Sequence, residues 1–134
     1  METNSCALKL NHLVFDNFSF TRHGFKNESA IKYNFGFAFD SNEVNNVIVH
    51  IRVIAKKEKE FDLLLEASGF FSCVGGEEQI ALMTKQNAVA IIFPFIRSQL
   101  SLLTAQPEME PIVLPPLNIA KMVEESETCG KISG

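Results

Sequence analysis

The sequence predicts an α+β fold: a four-stranded antiparallel sheet, one long kinked helix packed on it, and a short C-terminal helix. Three observations carry this. Four stretches within the first 74 residues alternate apolar and polar side chains with a period of two. After Gly75-Gly76 the apolar spacing lengthens to that of a helix. Prolines at 107, 111, 115 and 116 then stop the helix before a last, shorter periodic stretch.

The first strand spans residues 7–21, with two alternations out of phase. Leu8, Leu10, Val14, Phe18 and Phe20 share one parity, and Leu13 and Phe15 the other. Either both faces are covered or a bulge switches the phase. Residues 31–39 form the clearest strand, because Ile31, Tyr33, Phe35, Phe37 and Phe39 alternate without a miss. A turn is expected at Asp40-Ser41-Asn42-Glu43. Val47, Val49, Ile51 and Val53 mark the third strand, and residues 61–74 the fourth. The charged run Lys56-Lys57-Glu58-Lys59-Glu60 between them reads as a solvated hairpin tip. Short polar turns between such strands predict an antiparallel meander.

The helix is expected over residues 77–105, with Glu77 and Glu78 at its positive end. Leu82, Val89, Phe93, Ile96, Leu100 and Leu103 form one apolar stripe. Ile80, Ala88, Ile91, Phe95 and Leu102 form a second on nearly the opposite side. Pro94 predicts the kink, since it removes a hydrogen bond and clashes with the carbonyl of Ala90. One stripe packs on the chain's own sheet, and nothing in a domain this small is left to cover the other. The second cover is therefore another subunit, and the Leu82–Leu103 stripe is assigned to that oligomer interface. Residues 106–118 read as a stiff, greasy loop. Asn118 caps a helix over 119–125, and residues 126–134 read as a flexible tail. The chain of 134 residues suits one domain (1–134) with its core at about 8–125.

Composition narrows the function. Twelve Lys plus Arg against sixteen Asp plus Glu give a net charge of -4, which argues against nucleic-acid binding. The longest uncharged apolar run, residues 88–96, is too short to insert into a membrane. No signal peptide opens the sequence, so a cytoplasmic location is expected. Cys6, Cys73 and Cys129 are widely spaced, which signals neither a metal site nor a disulfide framework. His12, His23 and His50 stand apart from other ligating residues, and Asp16, Asp40, Asp62 and Glu66 are scattered. No catalytic constellation, metal site or cofactor motif emerges, so no enzyme activity is expected.

The unusual feature is aromatic content: 12 Phe, one Tyr and no Trp. The Tyr33–Phe39 row, the proline-rich loop and the last helix are placed to enclose a groove. Aromatic walls suit extended, non-native polypeptide, which they hold by burying area at roughly 25 cal/mol per Å².

At this point the sequence resembles the SecB-type protein-export chaperones, as a divergent member. The order of elements matches over residues 8–125, and four segments carry the likeness. These are Leu8-Lys9-Leu10 through Phe18-Ser19-Phe20, Gly69-Phe70-Phe71-Ser72, Phe93-Pro94-Phe95-Ile96-Arg97, and Leu114-Pro115-Pro116-Leu117-Asn118-Ile119. The resemblance implies an ATP-independent holdase that binds unfolded or precursor polypeptides for export. It also implies a homotetramer built as a dimer of dimers. It places peptide contacts on Ile31, Tyr33, Phe35, Leu114, Leu117, Ile119 and Val123, and the alternating row extends them to Phe37. The translocase motor SecA enters as a partner, but the positions matching the family's acidic docking patch are Asn17, Thr21 and Leu64, none acidic. Two alternatives stand beside this reading: a SecB-like chaperone dedicated to an antitoxin or other specific client, and a small apolar-ligand binding protein.

Overall fold

A computed structural model describes the backbone of residues 7–43, 46–74 and 82–133, and the side chains of residues 8–40, 46–73 and 84–126. Four strands, β1 (Ala7–Arg22), β2 (Ile31–Glu43), β3 (Asn46–Lys57) and β4 (Phe61–Val74), precede two helices, α1 (Leu82–Leu103) and α2 (Ile119–Ser133). Every strand pairing is antiparallel, and the order across the sheet is β1-β4-β3-β2. The expected simple meander therefore holds for β2, β3 and β4 alone. β1 lies beside β4, at the opposite edge from its neighbour in sequence.

The connection between β1 and β2 must consequently cross the end of the β3–β4 hairpin. It does so in close contact. His23 N donates to Glu60 O at 2.8 Å, and Asn27 Nδ2 donates to Glu58 O at 3.1 Å. A Cβ built on Gly24 would stand 1.8 Å from the Lys59 carbonyl oxygen, so only glycine passes there. Under this crossing the charged tip is not fully solvated. Lys57 and Glu60 are buried and paired at 3.0 Å, and Glu60 also accepts from the Asn27 backbone N–H. A buried pair of this kind holds only because each charge has its partner.

The two alternations in β1 resolve into one apolar face. Register shifts against β4 fall between Leu10 and His12 and between Phe15 and Asn17. Each adds one residue and flips the phase. Leu8, Leu10, Leu13, Phe15, Phe18 and Phe20 thus all stand opposite inward-facing positions of β4. The expected turn at 40–43 is absent, since β2 continues to Glu43 and pairs there with Asn46 across an irregularity.

The core lies between this inner face and α1. Odd-numbered residues of β3 and β4, from Val47 to Ala55 and from Phe61 to Cys73, are buried against Val89, Ile92, Phe93, Ile96 and Leu100. Gly69 sets how closely the layers approach: a Cβ there would lie 2.4 Å from Ile92 Cδ1. The expected helix start at Gly75-Gly76-Glu77-Glu78 lies outside the described residues. α1 is continuous through Pro94, which is exposed together with Ala90, so the carbonyl that lost its donor faces outward. The expected tail is also revised, because α2 extends through it to Ser133. Gly130 costs a helix only about 1 kcal/mol and is no stop signal by itself.

Cys73, buried at the end of β4, is disulfide-bonded. This overturns the expectation that the cysteines form no disulfide framework. Wide spacing conceals such a pairing, because sequence interval alone does not report which sulfurs the fold brings together.

Gly69→Val is expected to lower the unfolding free energy by about 1–3 kcal/mol through overpacking against Ile92. Urea denaturation checks this, and an unchanged midpoint would show that α1 can lift freely from the sheet.

Candidate functional site

The inner row of β2 comprises Ile31, Tyr33, Phe35, Phe37 and Phe39, all half-buried and packed against the core. β2 is an edge strand, so α1 cannot bury this row as it buries β3 and β4. The rings are locked to each other and to the helix. Tyr33 and Phe35 stack at 5.9 Å, Phe35 meets Phe93 at 5.7 Å, and Lys85 Nζ sits 5.2 Å above the Phe39 ring. Partial burial pushes the Tyr33 phenol above its ordinary value, as an apolar setting requires.

The loop and α2 close over this region. Ser101 Oγ donates to Ile112 O at 2.7 Å, while the Ile112 N–H donates to Thr104 Oγ1 at 2.8 Å. Arg22 reaches from the end of β1 to the carbonyls of Pro107 and Glu108. Asn118 caps α2 through Lys121 N at 3.0 Å, as expected from its position, and Gln86 Nε2 holds the Ala120 carbonyl at 2.9 Å. Between these anchors Leu114 is only 3% exposed, and Val123 on α2 is wholly buried. That corrects their assignment as surface contacts: in this conformation both side chains fill the core beside β2. Leu117, Ile119 and Met122 remain half-buried along the rim.

The helix stripes exchange roles. Val89, Phe93, Ile96 and Leu100 are 0–2% exposed within one subunit, so they cannot form the oligomer interface assigned to them. Leu103 is half-buried against the same core, and the side chain of Leu82 lies outside the described residues. Facing outward instead are Ile91, Phe95 and Leu102, with exposures of 37%, 49% and 71%. Periodicity defines two stripes but does not say which meets the sheet. Ala88, from the second stripe, is buried as well.

The outer face of the sheet holds what sequence reasoning missed. A polar chain runs across all four strands. Ser68 Oγ on β4 donates to Asp16 Oδ2 on β1 at 2.5 Å, His50 Nδ1 on β3 lies 2.9 Å from Ser68 Oγ, and His50 Nε2 lies 3.3 Å from Asp40 Oδ2 on β2. Beside it, Glu66 takes the Arg52 Nε–H at 2.9 Å and the Asn17 side chain at 3.3 Å. The hydrogen bond from Arg52, then that from Asn17, holds the Glu66 carboxyl below its usual range. A nucleophilic serine passes its proton to a histidine, whereas the Ser68 hydroxyl points at a carboxylate. The group therefore reads as a cross-strand clasp. Asp16 is the extra residue of the second register shift, and no spacing rule would have placed it beside Ser68. Among the described residues no three His, Cys, Asp or Glu side chains converge to hold a metal, and no helix is long and apolar enough to cross a membrane.

Comparison with known proteins matches residues 17–128 to the family model described as preprotein translocase subunit SecB. An uncharacterised protein of Methanocaldococcus jannaschii is 29% identical over 91% of this chain and 86% of its own length. Among solved structures, the chain is similar to a SecB-like chaperone of Mycobacterium tuberculosis in complex with a peptide from an antitoxin. That match has a TM-score of 0.71 at 14% identity, covering 83% of this chain and 91% of the other. A Streptococcus agalactiae protein of unknown function matches with a TM-score of 0.57 at 8% identity, covering 84% and 99%.

Arg52→Met is expected to weaken the sheet at neutral pH but not in acid. Folding lowers the proton affinity of Glu66, so its contribution is full above the ordinary glutamate value of about 4.3 and vanishes as pH falls through the lower folded value. The difference in urea midpoint between wild type and variant should shrink toward zero across that interval. A constant difference would remove Glu66 as the cause.

Proposed function

The chain belongs to the SecB family, and from that premise we propose that it is an ATP-independent holdase which keeps non-native polypeptide from aggregating. The observation that carries this is the half-buried aromatic row of β2, bordered by Leu117, Ile119 and Met122. An apolar surface left half covered binds extended chains without a sequence code, through area rather than directional contacts. The β2 edge adds unpaired main-chain groups in the same place. Leu114 and Val123 join the contact surface only when the loop between the Ile112 and Asn118 anchors shifts, with α2, away from β2. Clients that bind there displace the protein's own apolar side chains.

The outward stripe of Ile91, Phe95 and Leu102 favours assembly through α1. A homotetramer would place several grooves on one particle, so that a long client is held at many weak points and effective concentration raises avidity. The Mycobacterium tuberculosis relative is bound to an antitoxin peptide, which favours a dedicated client as the second reading. A role in export with SecA as acceptor is the less supported version. Asn17 is already engaged by Glu66, and that carboxylate is in turn neutralised by Arg52.

The direct test is aggregation of a chemically unfolded client with purified protein at stoichiometric ratio. Suppression together with a complex in size-exclusion chromatography is expected, and the absence of both would refute the holdase. Tyr33→Asp and Leu117→Asp should each weaken suppression several-fold while thermal melting by circular dichroism stays cooperative. Phe95→Glu should reduce the assembly to smaller species. Leu100→Glu should instead unfold the subunit, since it buries a charge among core residues.

A further inference from the structure

Among the described residues, two concavities on the outer face of the sheet differ in character. One, of about 440 Å³, is lined by Asp16, Glu66, His50 and Arg52 and belongs to the polar clasp. The other, of about 650 Å³, lies toward the start of β1 and has no carboxylate in its lining. Its walls are Lys9, Asn11 and His12 of β1, Asn46 and Ile48 of β3, and Phe70 of β4. In a chain of net charge -4, a hollow walled by an ammonium, amides and an imidazole but no acid is a local inversion.

We propose that this second concavity binds a small molecule with a flat apolar body and one anionic group, a carboxylate or a phosphate. Its volume falls within the roughly 300–1,000 Å³ of small-molecule sites. The first register shift in β1 builds it. Asn11 is the inserted residue and has no cross-strand partner on β4, so its amide is released from the ladder, and His12 is turned against Phe70. The His12 and Phe70 rings meet edge to face at 6.4 Å and 75°, which fixes the imidazole and leaves the Phe70 ring and Ile48 as an apolar floor. Among the described residues the Lys9 side chain forms no ion pair or hydrogen bond, so its ammonium is available as the point charge that an anion needs. Asn11, freed from the ladder, adds a side-chain amide that orients the anion. An apolar floor with a few convergent donors is the usual composition of such sites. The site is on the opposite face of the sheet from the client groove, so ligand here and client there do not compete directly.

The test is a nuclear magnetic resonance titration of the full chain with benzoate and with phenyl phosphate. Acetate and benzyl alcohol serve as controls, each lacking half of the ligand. Expected are saturable shifts centred on Lys9–His12, Ile48 and Phe70 with one or both aromatic anions, and none with the controls. Lys9→Glu and Lys9→Met should each weaken binding about tenfold or more, consistent with loss of a charged hydrogen bond. Asp16→Ala, in the neighbouring concavity, should leave binding unchanged. Cooperative melting of the variants separates loss of the site from loss of the fold. No saturation at millimolar concentration, equal affinity in the Lys9 variants, or shifts confined to the β2 row would overturn the proposal. None of these results alters the holdase test, which reads the other face.

Discussion

Everything in this architecture follows from a mismatch of widths. Four antiparallel strands at about 4.8 Å spacing make an apolar face nearly twice as wide as one helix of about 10 Å diameter. α1 lies across that face and seals β3 and β4, whose inward residues are almost fully buried. The rows on β1 and β2, at the two edges, remain half covered. Such rows are poor in a free monomer and useful in a protein that binds others, because each exposed strip is a standing demand for a partner.

The two edges answer that demand differently. Beside β2 the chain folds its own proline-rich loop and α2 inward, and Leu114 and Val123 fill the gap. The closure is fastened at its ends by Ser101, Thr104, Gln86 and Asn118, with the two adjacent prolines at 115 and 116 in between. Proline supplies no N–H, so this stretch gains little from main-chain bonding and rests mainly on apolar contact. Beside β1, among the described residues, no second helix packs next to α1, and Phe18 remains 38% exposed. The outer face is organised by other means. Polar groups are chained from strand to strand, and the same irregularities that align the inner row on β1 deliver Asp16 to the clasp and His12 to Phe70.

The elements themselves were legible in the residues. Period-two alternation located all four strands, and helical spacing with the proline cluster located α1 and its end. Asn118 marked the cap of α2. The Tyr33–Phe39 row stood out as the candidate binding wall because nothing interrupts it. Less legible was anything that depends on pairing partners. Cys73 stands in a disulfide that wide spacing hides, and His50 looked solitary until register aligned it with Ser68 and Asp40.

Local chemistry therefore determined which segments are extended or helical and that more apolar surface exists than one small domain can hide. It did so because periodicity and turn residues act over a few neighbours. Strand order, the inward stripe of α1, and the burial of Leu114 and Val123 were decided only by tertiary structure. They depend on contacts between residues tens of positions apart: Glu60 beneath the crossing loop, Ile92 against Gly69, and two inserted residues in β1. A helix with two apolar stripes is symmetric to its own sequence, and only the sheet breaks that symmetry.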